Sequence, residues 1–453
     1  MKELEKYREF YFLGVGGIGM SALARYFNGE KYKVHGYDST KTTLTNQLEK
    51  EGISIHFHDL GAEVLNLVDR RENTLVVFTP AIPIKLKELQ VLKENDYRLI
   101  KRAELLGYIT RKTKSLAVAG THGKTTTSCM LAHLLTQSDK KCHAFLGGIS
   151  TNYNTNFITT ENSDYTVVEA DEFDRSFLHL NPDASILTSI EADHLDIYKD
   201  KGQIEKAFSD YVEKINPDGF LVKHFNIPIN HPRKNLTYGV EQIDADFNAV
   251  NVRYENSKFC FDLEGKEKWN KIELGIPGVH NVENALSVIA LALEIGIDEA
   301  TIRNGLSTFQ GVKRRFEIIY KDDDRIFIDD YAHHPTAIHQ LITSVKLMFP
   351  EQSICIVFQP HLYSRTRDFM DEFALELSRA DKVVLLPIYP AREEPIEGVT
   401  SDKLLEKIDA TTKKLIEPNE LPRYISQFKG VILTVGAGDI SNLVPKIKTI
   451  LNG

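Results

Sequence analysis

Short apolar runs alternate with amphipathic stretches along most of this 453-residue chain. Phe10 to Leu13, Lys33 to Asp38, Ile53 to Phe57 and Thr74 to Phe78 read as buried strands in the first third. Ser115 to Ala119, Tyr165 to Val168 and Ala184 to Ser189 do so in the middle third. Arg325 to Ile328, Ser353 to Phe358, Lys382 to Leu386 and Val431 to Val435 follow in the last. Between them Met20 to Phe27, Ser128 to Thr136 and Gln203 to Lys214 read as helices. Alternation of strand and helix predicts parallel sheets covered by helices, an α/β class of fold. Asn248 to Glu264 differs: it alternates residue by residue, which predicts an antiparallel hairpin turning at Asn256 and Ser257.

Length suggests about three domains at the usual ~150 residues each. With 42% hydrophobic and 26% charged residues, the chain has the apolar mass for real cores. A formal net charge of −9 argues against nucleic acid or an anionic membrane as the main partner. The four cysteines, Cys129, Cys142, Cys260 and Cys355, form no C-x-x-C pair and are expected as buried thiols in a reducing cytoplasm. Met1 to Phe10 mixes both charges, and the apolar run after it is short and broken by glycines. Neither a signal peptide nor a membrane span is expected.

Chemistry-bearing residues gather where the strand pattern stops. Gly120-Thr121-His122-Gly123-Lys124-Thr125-Thr126 joins a strand to a helix. Such a turn aims backbone N–H groups and a helix N-terminus at one spot, which suits a phosphate. Lys124 adds positive charge for β/γ-phosphates, and the Thr125 hydroxyl can hold Mg²⁺. The full phosphate-loop pattern wants glycine where Val118 stands. Nearer the start, Gly14-Val15-Gly16-Gly17-Ile18-Gly19 follows a strand, and Asp38 ends the next one. This is the dinucleotide fingerprint, which by itself suggests a nicotinamide or flavin site. Thr79-Pro80-Ala81-Ile82 also lies at a strand's carboxyl end, where open α/β sheets bind ligands.

A strand delivers Glu169-Ala170-Asp171-Glu172-Phe173-Asp174, where an acid would complete a Mg²⁺ site. Another ends in Glu191-Ala192-Asp193-His194-Leu195-Asp196, and a histidine among carboxylates is a metal-ligand candidate. Asn281 and Asn284 share a face at the start of an apolar helix and suit an adenine edge, or else Asn281 caps that helix. In the last third, polar clusters follow four strands: Asp329 to Pro335, Gln359 to Arg367, Tyr389 to Glu393 and Gly436 to Asp439. Clusters at strand carboxyl ends face one crevice and read as a binding wall.

Occurring in this order, the motifs resemble the Mur ligase family nearly end to end. These are the ATP-dependent amide-forming enzymes of bacterial peptidoglycan precursor synthesis. The resemblance implies three domains: a Rossmann-like UDP-sugar domain over residues 1–112, a P-loop ATPase-like domain over 113–313, and a Rossmann-like C-terminal α/β domain over 314–453 closing on ATP and the amino acid. It moves the glycine fingerprint from NAD to UDP, with Gly14, Gly16, Gly17, Ile18, Gly19, Asp38, Thr79 and Ala81 facing the sugar nucleotide. Lys124, Glu169 and His194 become the catalytic set, and Thr125, Glu169 and His194 hold Mg²⁺. Gly120 to Thr126, His280, Asn281, Asn284, Arg315 and Asp330 reach ATP, while Tyr331, His361 and Arg365 line the amino-acid and acyl-phosphate side.

In the alanine-adding branch, which the acidic motifs resemble most, ATP phosphorylates the lactyl carboxylate of UDP-N-acetylmuramate. The amine of L-alanine then displaces phosphate. Such an enzyme is expected in the bacterial cytoplasm as a monomer or weak dimer, with no nucleic acid or membrane partner. Two departures stand out. Lys206-Ala207-Phe208-Ser209-Asp210 does not clearly supply the carbamylated lysine of relatives with larger amino-acid substrates, and Leu362 stands where relatives often have Arg. Competing readings are a recycling ligase that adds a murein tripeptide, an NAD-dependent dehydrogenase, and a nucleotide-gated binding protein without synthetic activity.

Overall fold

Three sheets carry the chain in a computed structural model that describes residues 4–191, 200–391 and 393–452. The first holds β1 (Glu9–Leu13), β2 (Lys33–Tyr37), β3 (Ser54–His56), β4 (Thr74–Phe78) and β5 (Arg98–Lys101) in the order β3-β2-β1-β4-β5, all parallel. The order reverses between β1 and β4. The loops after these strands, Gly14 to Gly17 and Thr79 to Ala81, therefore open at the switch point where such sheets take ligands. The helix α1 (Ile18–Gly29) follows the first loop and buries Met20 to Phe27.

The second sheet has ten strands: β6 (Lys114–Ala119), β7 (Cys142–Ser150), β8 (Thr155–Ile158), β9 (Tyr165–Glu169), β10 (Ala184–Leu187), β11 (Phe220–His224), β12 (Asn235–Val240), β13 (Phe247–Glu255), β14 (Lys258–Gly265) and β15 (Trp269–Leu274). Their order is β15-β14-β13-β12-β11-β10-β6-β9-β7-β8. The phosphate-loop strand β6 thus lies between β10 and β9, both parallel to it. The expected hairpin forms between β13 and β14, and Asn256 (φ 50°) and Ser257 (φ 62°) make a two-residue turn of the type whose twist matches paired strands. The β7–β8 pair, antiparallel at the far edge, was not expected. Its apolar positions are interrupted by Gly147 and Gly148, which hides the strand period.

The third sheet runs β16 (Glu317–Lys321), β17 (Arg325–Asp330), β21 (Gly430–Val435), β18 (Ile354–Phe358), β19 (Lys382–Leu385) and β20 (Thr412–Leu415). Only β16 is antiparallel, joined to β17 by a short turn, so the expectation of a wholly parallel unit is corrected at that edge.

Two compact units result. One comprises the residues up to Val250 with Leu263–Trp269 and Glu283–Phe309, and the other Asn251–Asp262, Asn270–Val282 and the chain from Gln310 onward. In the first, one apolar core runs from Phe10, Phe12 and Phe27 through Ala117, Phe145 and Val168 to Phe208 and Tyr211, so the first two sheets share it. In the second, Phe327, Val357, Val384, Ile432 and Ile447 form a separate core.

Candidate active site

Gly120 (φ 132°) and Gly123 (φ 80°) take left-handed backbone conformations that turn β6 into α2 (Lys124–Gln137), which is why glycine stands at both positions. The helix starts four residues before the apolar pattern suggested, because its first turn is polar. Helix geometry leaves the N–H groups of Lys124, Thr125 and Thr126 outside the intrahelical ladder. Not all amides of the loop are aimed outward: Thr121 N donates to Ser189 O (3.0 Å) and His122 N to Ser189 Oγ (3.0 Å). Ser189 follows β10, so the neighbouring strand shapes the loop. Thr121 Oγ1 accepts from Glu191 N (2.9 Å), and the His122 ring lies 3.2 Å from the Glu191 carboxylate.

Lys124 folds back over its own loop. Its ammonium donates to Gly120 O (2.6 Å) and Thr121 O (3.3 Å) and pairs with Glu172 at 2.7 Å. Burial disfavours this charge. The carboxylates of Glu172, Asp171 and Glu169 outweigh it and hold the lysine pKa above its ordinary value. Glu172, 4% exposed, is thus part of the site although sequence reasoning singled out only Glu169 from that acidic run. Glu169 ends β9, next to β6, and a side chain at Gly147 on β7 would overlap its carboxylate. Asn284, 7% exposed, brings its Oδ1 against Gly123, where a Cβ would lie 2.6 Å away. His194 lies outside the described residues. Lys206 is exposed on its helix (Lys201–Val212).

A cavity of about 370 Å³ brings most of the proposed sugar-nucleotide residues together. Gly17, Ile18, Gly19, Thr79 and Ala81 line it with Phe145, Gly147, Glu169 and Asp171. Gly14 sits behind it, its N–H bonded to Tyr37 O (2.7 Å). Asp38 accepts from Gly16 N (2.8 Å) and so braces the glycine turn itself. Arg102 also lines the cavity, 3.6 Å from Asp171, and sequence reasoning missed it because its position at a helix start carries no motif.

In the second unit the four polar clusters do meet, since β17, β21, β18 and β19 are neighbours. Gly436 N donates to Asp330 O (3.1 Å), Gln359 Nε2 to Asp439 Oδ1 (2.7 Å), and Leu362 N to Tyr389 O (3.0 Å), while Arg314 Nη2 donates to Gly436 O (2.7 Å). Both Arg314 and Arg315 lie over the Tyr331 ring, at 5.0 and 4.8 Å. Asp330 accepts from Phe316 N (2.6 Å) and Ala332 N (2.7 Å), which fixes the turn bearing Arg315. The His361 ring stacks on Tyr389, and Arg365 Nη1 lies 3.4 Å from His361 Nδ1. Leu362 between them has φ 72° and ψ 136°, a strained conformation for a branched side chain. Asn281 does not cap its helix, α3 (Val279–Glu294). It lies inside the first turn and donates back to Pro277 O (2.5 Å), one residue after half-buried His280. No helix among the described residues is long and apolar enough to cross a membrane.

A phosphate loop on a parallel sheet, an acidic strand end beside it and a glycine-rich cradle define an α/β enzyme that uses nucleotides. Three family models match in succession: "Mur ligase family, catalytic domain" over residues 9–114, "Mur ligase middle domain" over 118–292, and "Mur ligase, glutamate ligase domain" over 314–438. The UDP-N-acetylmuramate–L-alanine ligase of Cytophaga hutchinsonii is 44% identical over 448 residues, 97% of this chain and 96% of its own. That of Christiangramia forsetii is 46% identical over 454 residues, covering 100% and 99%. Among solved structures, the UDP-N-acetylmuramate-alanine ligase MurC from Thermotoga maritima matches with a TM-score of 0.82 at 28% identity, over 97% of this chain and 98% of that one. A murein peptide ligase from Psychrobacter arcticus matches with 0.69 at 25%, over 98% and 99%. The chain belongs to the Mur ligase family.

Proposed function

We propose that this enzyme joins L-alanine to the lactyl carboxylate of UDP-N-acetylmuramate, using ATP with Mg²⁺ and releasing ADP and phosphate. The observation that carries the reading is identity of 44–46% along the full length to ligases named for that reaction. Lys124 at the phosphate loop, its side chain 12% exposed, supplies the chemistry.

A carboxylate is a poor electrophile because its leaving group would be oxide. Phosphorylation supplies a good leaving group, but two anions must then meet, so positive charge has to stand between them. Lys124, kept charged by its acidic neighbours, is the chain's own source of that charge. The Thr125 hydroxyl and the Glu169 carboxylate are hard oxygen donors, which fit Mg²⁺ rather than a soft metal, with His194 as the further ligand. When bound, Mg²⁺ neutralises phosphate charge. Gly120 to Thr126, His280, Asn281, Asn284, Arg315 and Asp330 bind ATP. Gly14, Gly16 to Gly19, Asp38, Thr79 and Ala81 bind the UDP-sugar. Tyr331, His361 and Arg365 serve the amino acid and the acyl phosphate. Functional boundaries near residues 112 and 313, a bacterial cytoplasmic location and a monomer or weak dimer belong to the same proposal.

Product mass tests it. The protein is mixed with ATP, Mg²⁺ and UDP-N-acetylmuramate, with L-alanine in one tube and the murein tripeptide in the other. Product with alanine alone is expected. Product with tripeptide alone would move the function to cell-wall recycling, and neither product nor ADP would overturn the ligase reading.

A further inference from the structure

Asn156 on β8 is fully buried (0% exposed), and nothing in the proposed phosphate or amide chemistry accounts for it. Its amide is used from both ends. Nδ2 donates to Ile18 O (2.6 Å) and to Ser21 Oγ (2.9 Å), and Oδ1 accepts from Arg25 Nη1. Arg25, 9% exposed, is held in turn by Glu51 through two bonds of 2.8 Å. Turning the amide over would set its NH₂ against the guanidinium and its oxygen against a carbonyl, so the network admits one orientation.

Two features give the contact a consequence. Ile18 is the first residue of α1, and with Gly17 and Gly19 it forms the cradle side of the 370 Å³ cavity. The strand paired with β8 is β7, whose Phe145, Leu146 and Gly147 line the same cavity and whose Gly147 abuts Glu169. One hairpin therefore touches the glycine cradle through Asn156 and the metal-side carboxylate through Gly147. We infer that Asn156 is a positioning residue that sets the glycine cradle, and with it the sugar nucleotide's carboxylate, at its working distance from the phosphate-loop chemistry. The inference rests on the ligase reading above.

Asn156→Asp tests it in the full-length enzyme. Aspartate keeps an acceptor for Arg25 but loses both donors to the cradle. A cradle set loosely is expected to lower kcat about tenfold or more. It is also expected to raise KM for UDP-N-acetylmuramate severalfold and leave KM for ATP within about twofold of wild type. ADP released per amide should rise above one, because an acyl phosphate that meets water instead of the amine returns carboxylate and phosphate. Ser21→Ala, which removes one acceptor and leaves the Arg25 pair alone, should shift the same quantities in the same direction by about two- to fivefold. Wild-type values for both folded variants would overturn the inference, as would equal changes in both KM values. If Asn156→Asp does not fold, Ser21→Ala decides alone. If the wild type makes no amide, the ligase reading fails by itself, and calorimetric binding of UDP-N-acetylmuramate to wild type and variants still tests the cradle.

Discussion

Glu172 governs what a substitution at Lys124 does, because the two side chains pair at 2.7 Å. The acidic run Glu169 to Glu172 offers three carboxylates, and the end of β9 together with the turn after it decides which one reaches the lysine. That partner changes the expected effect of a standard substitution. Lys124→Ala should abolish turnover, and it also takes away the ammonium that pairs with the Glu172 carboxylate in the interior, which costs about 3–5 kcal/mol. The double variant Lys124→Ala/Glu172→Gln should recover most of the lost stability in thermal denaturation while staying inactive. Equal melting temperatures for the single and double variants would contradict the pairing. Arg102 and Asn156 escaped sequence reasoning for the same reason: each acts through a neighbour far along the chain, and no local spacing announces it.

Elements were read well where one period dominates. The β13–β14 hairpin is the clearest case, since strict alternation and two turn-forming residues agree. Ser257 sits at φ 62° without the freedom of glycine, so Ser257→Gly should raise stability by up to about 1 kcal/mol, measured by urea denaturation. A loss would mean that the serine side chain contributes more than the backbone strain costs. In the first sheet, Glu9 on β1 joins β2 and β4. It is 1% exposed, pairs with Lys33 (2.5 Å) and His35 (2.9 Å), and accepts from Asp69 N (2.6 Å) and from Thr74. Burial would raise its pKa, but these partners outweigh burial and lower it from 4.5 to about 2. A lowered folded-state value means that the stabilisation is complete above about pH 4.5 and is lost as pH falls toward 2. Wild type should exceed Glu9→Gln by on the order of 2 kcal/mol at neutral pH, and that gap should close between pH 4.5 and 2. A gap that does not change with pH would remove the ionised carboxylate from the account.

For the whole molecule, the competing dehydrogenase reading makes its own prediction. Asp38 is the acid that a dinucleotide site would turn toward ribose, and here it bonds to Gly16 N and braces the cradle. The protein is expected to bind UDP-N-acetylmuramate and to show no nicotinamide binding in a titration followed by fluorescence. A micromolar NAD affinity would reopen that reading.

The residues in order were enough to determine the α/β class, a glycine turn between strand and helix, a second glycine-rich turn after the first strand, and the family, because each rests on signals between near neighbours in sequence. Hydrophobic period, glycines at forced backbone angles and acids at strand ends are all local signals. The tertiary structure alone decided that β6 lies between β10 and β9, that Ser189 takes two amides of the loop, that Glu172 holds Lys124, and that Asn156 ties the cradle to the hairpin beside Glu169. These depend on strand order and side-chain burial, and partners from 48 to 138 residues apart are chosen by packing, which no local pattern encodes.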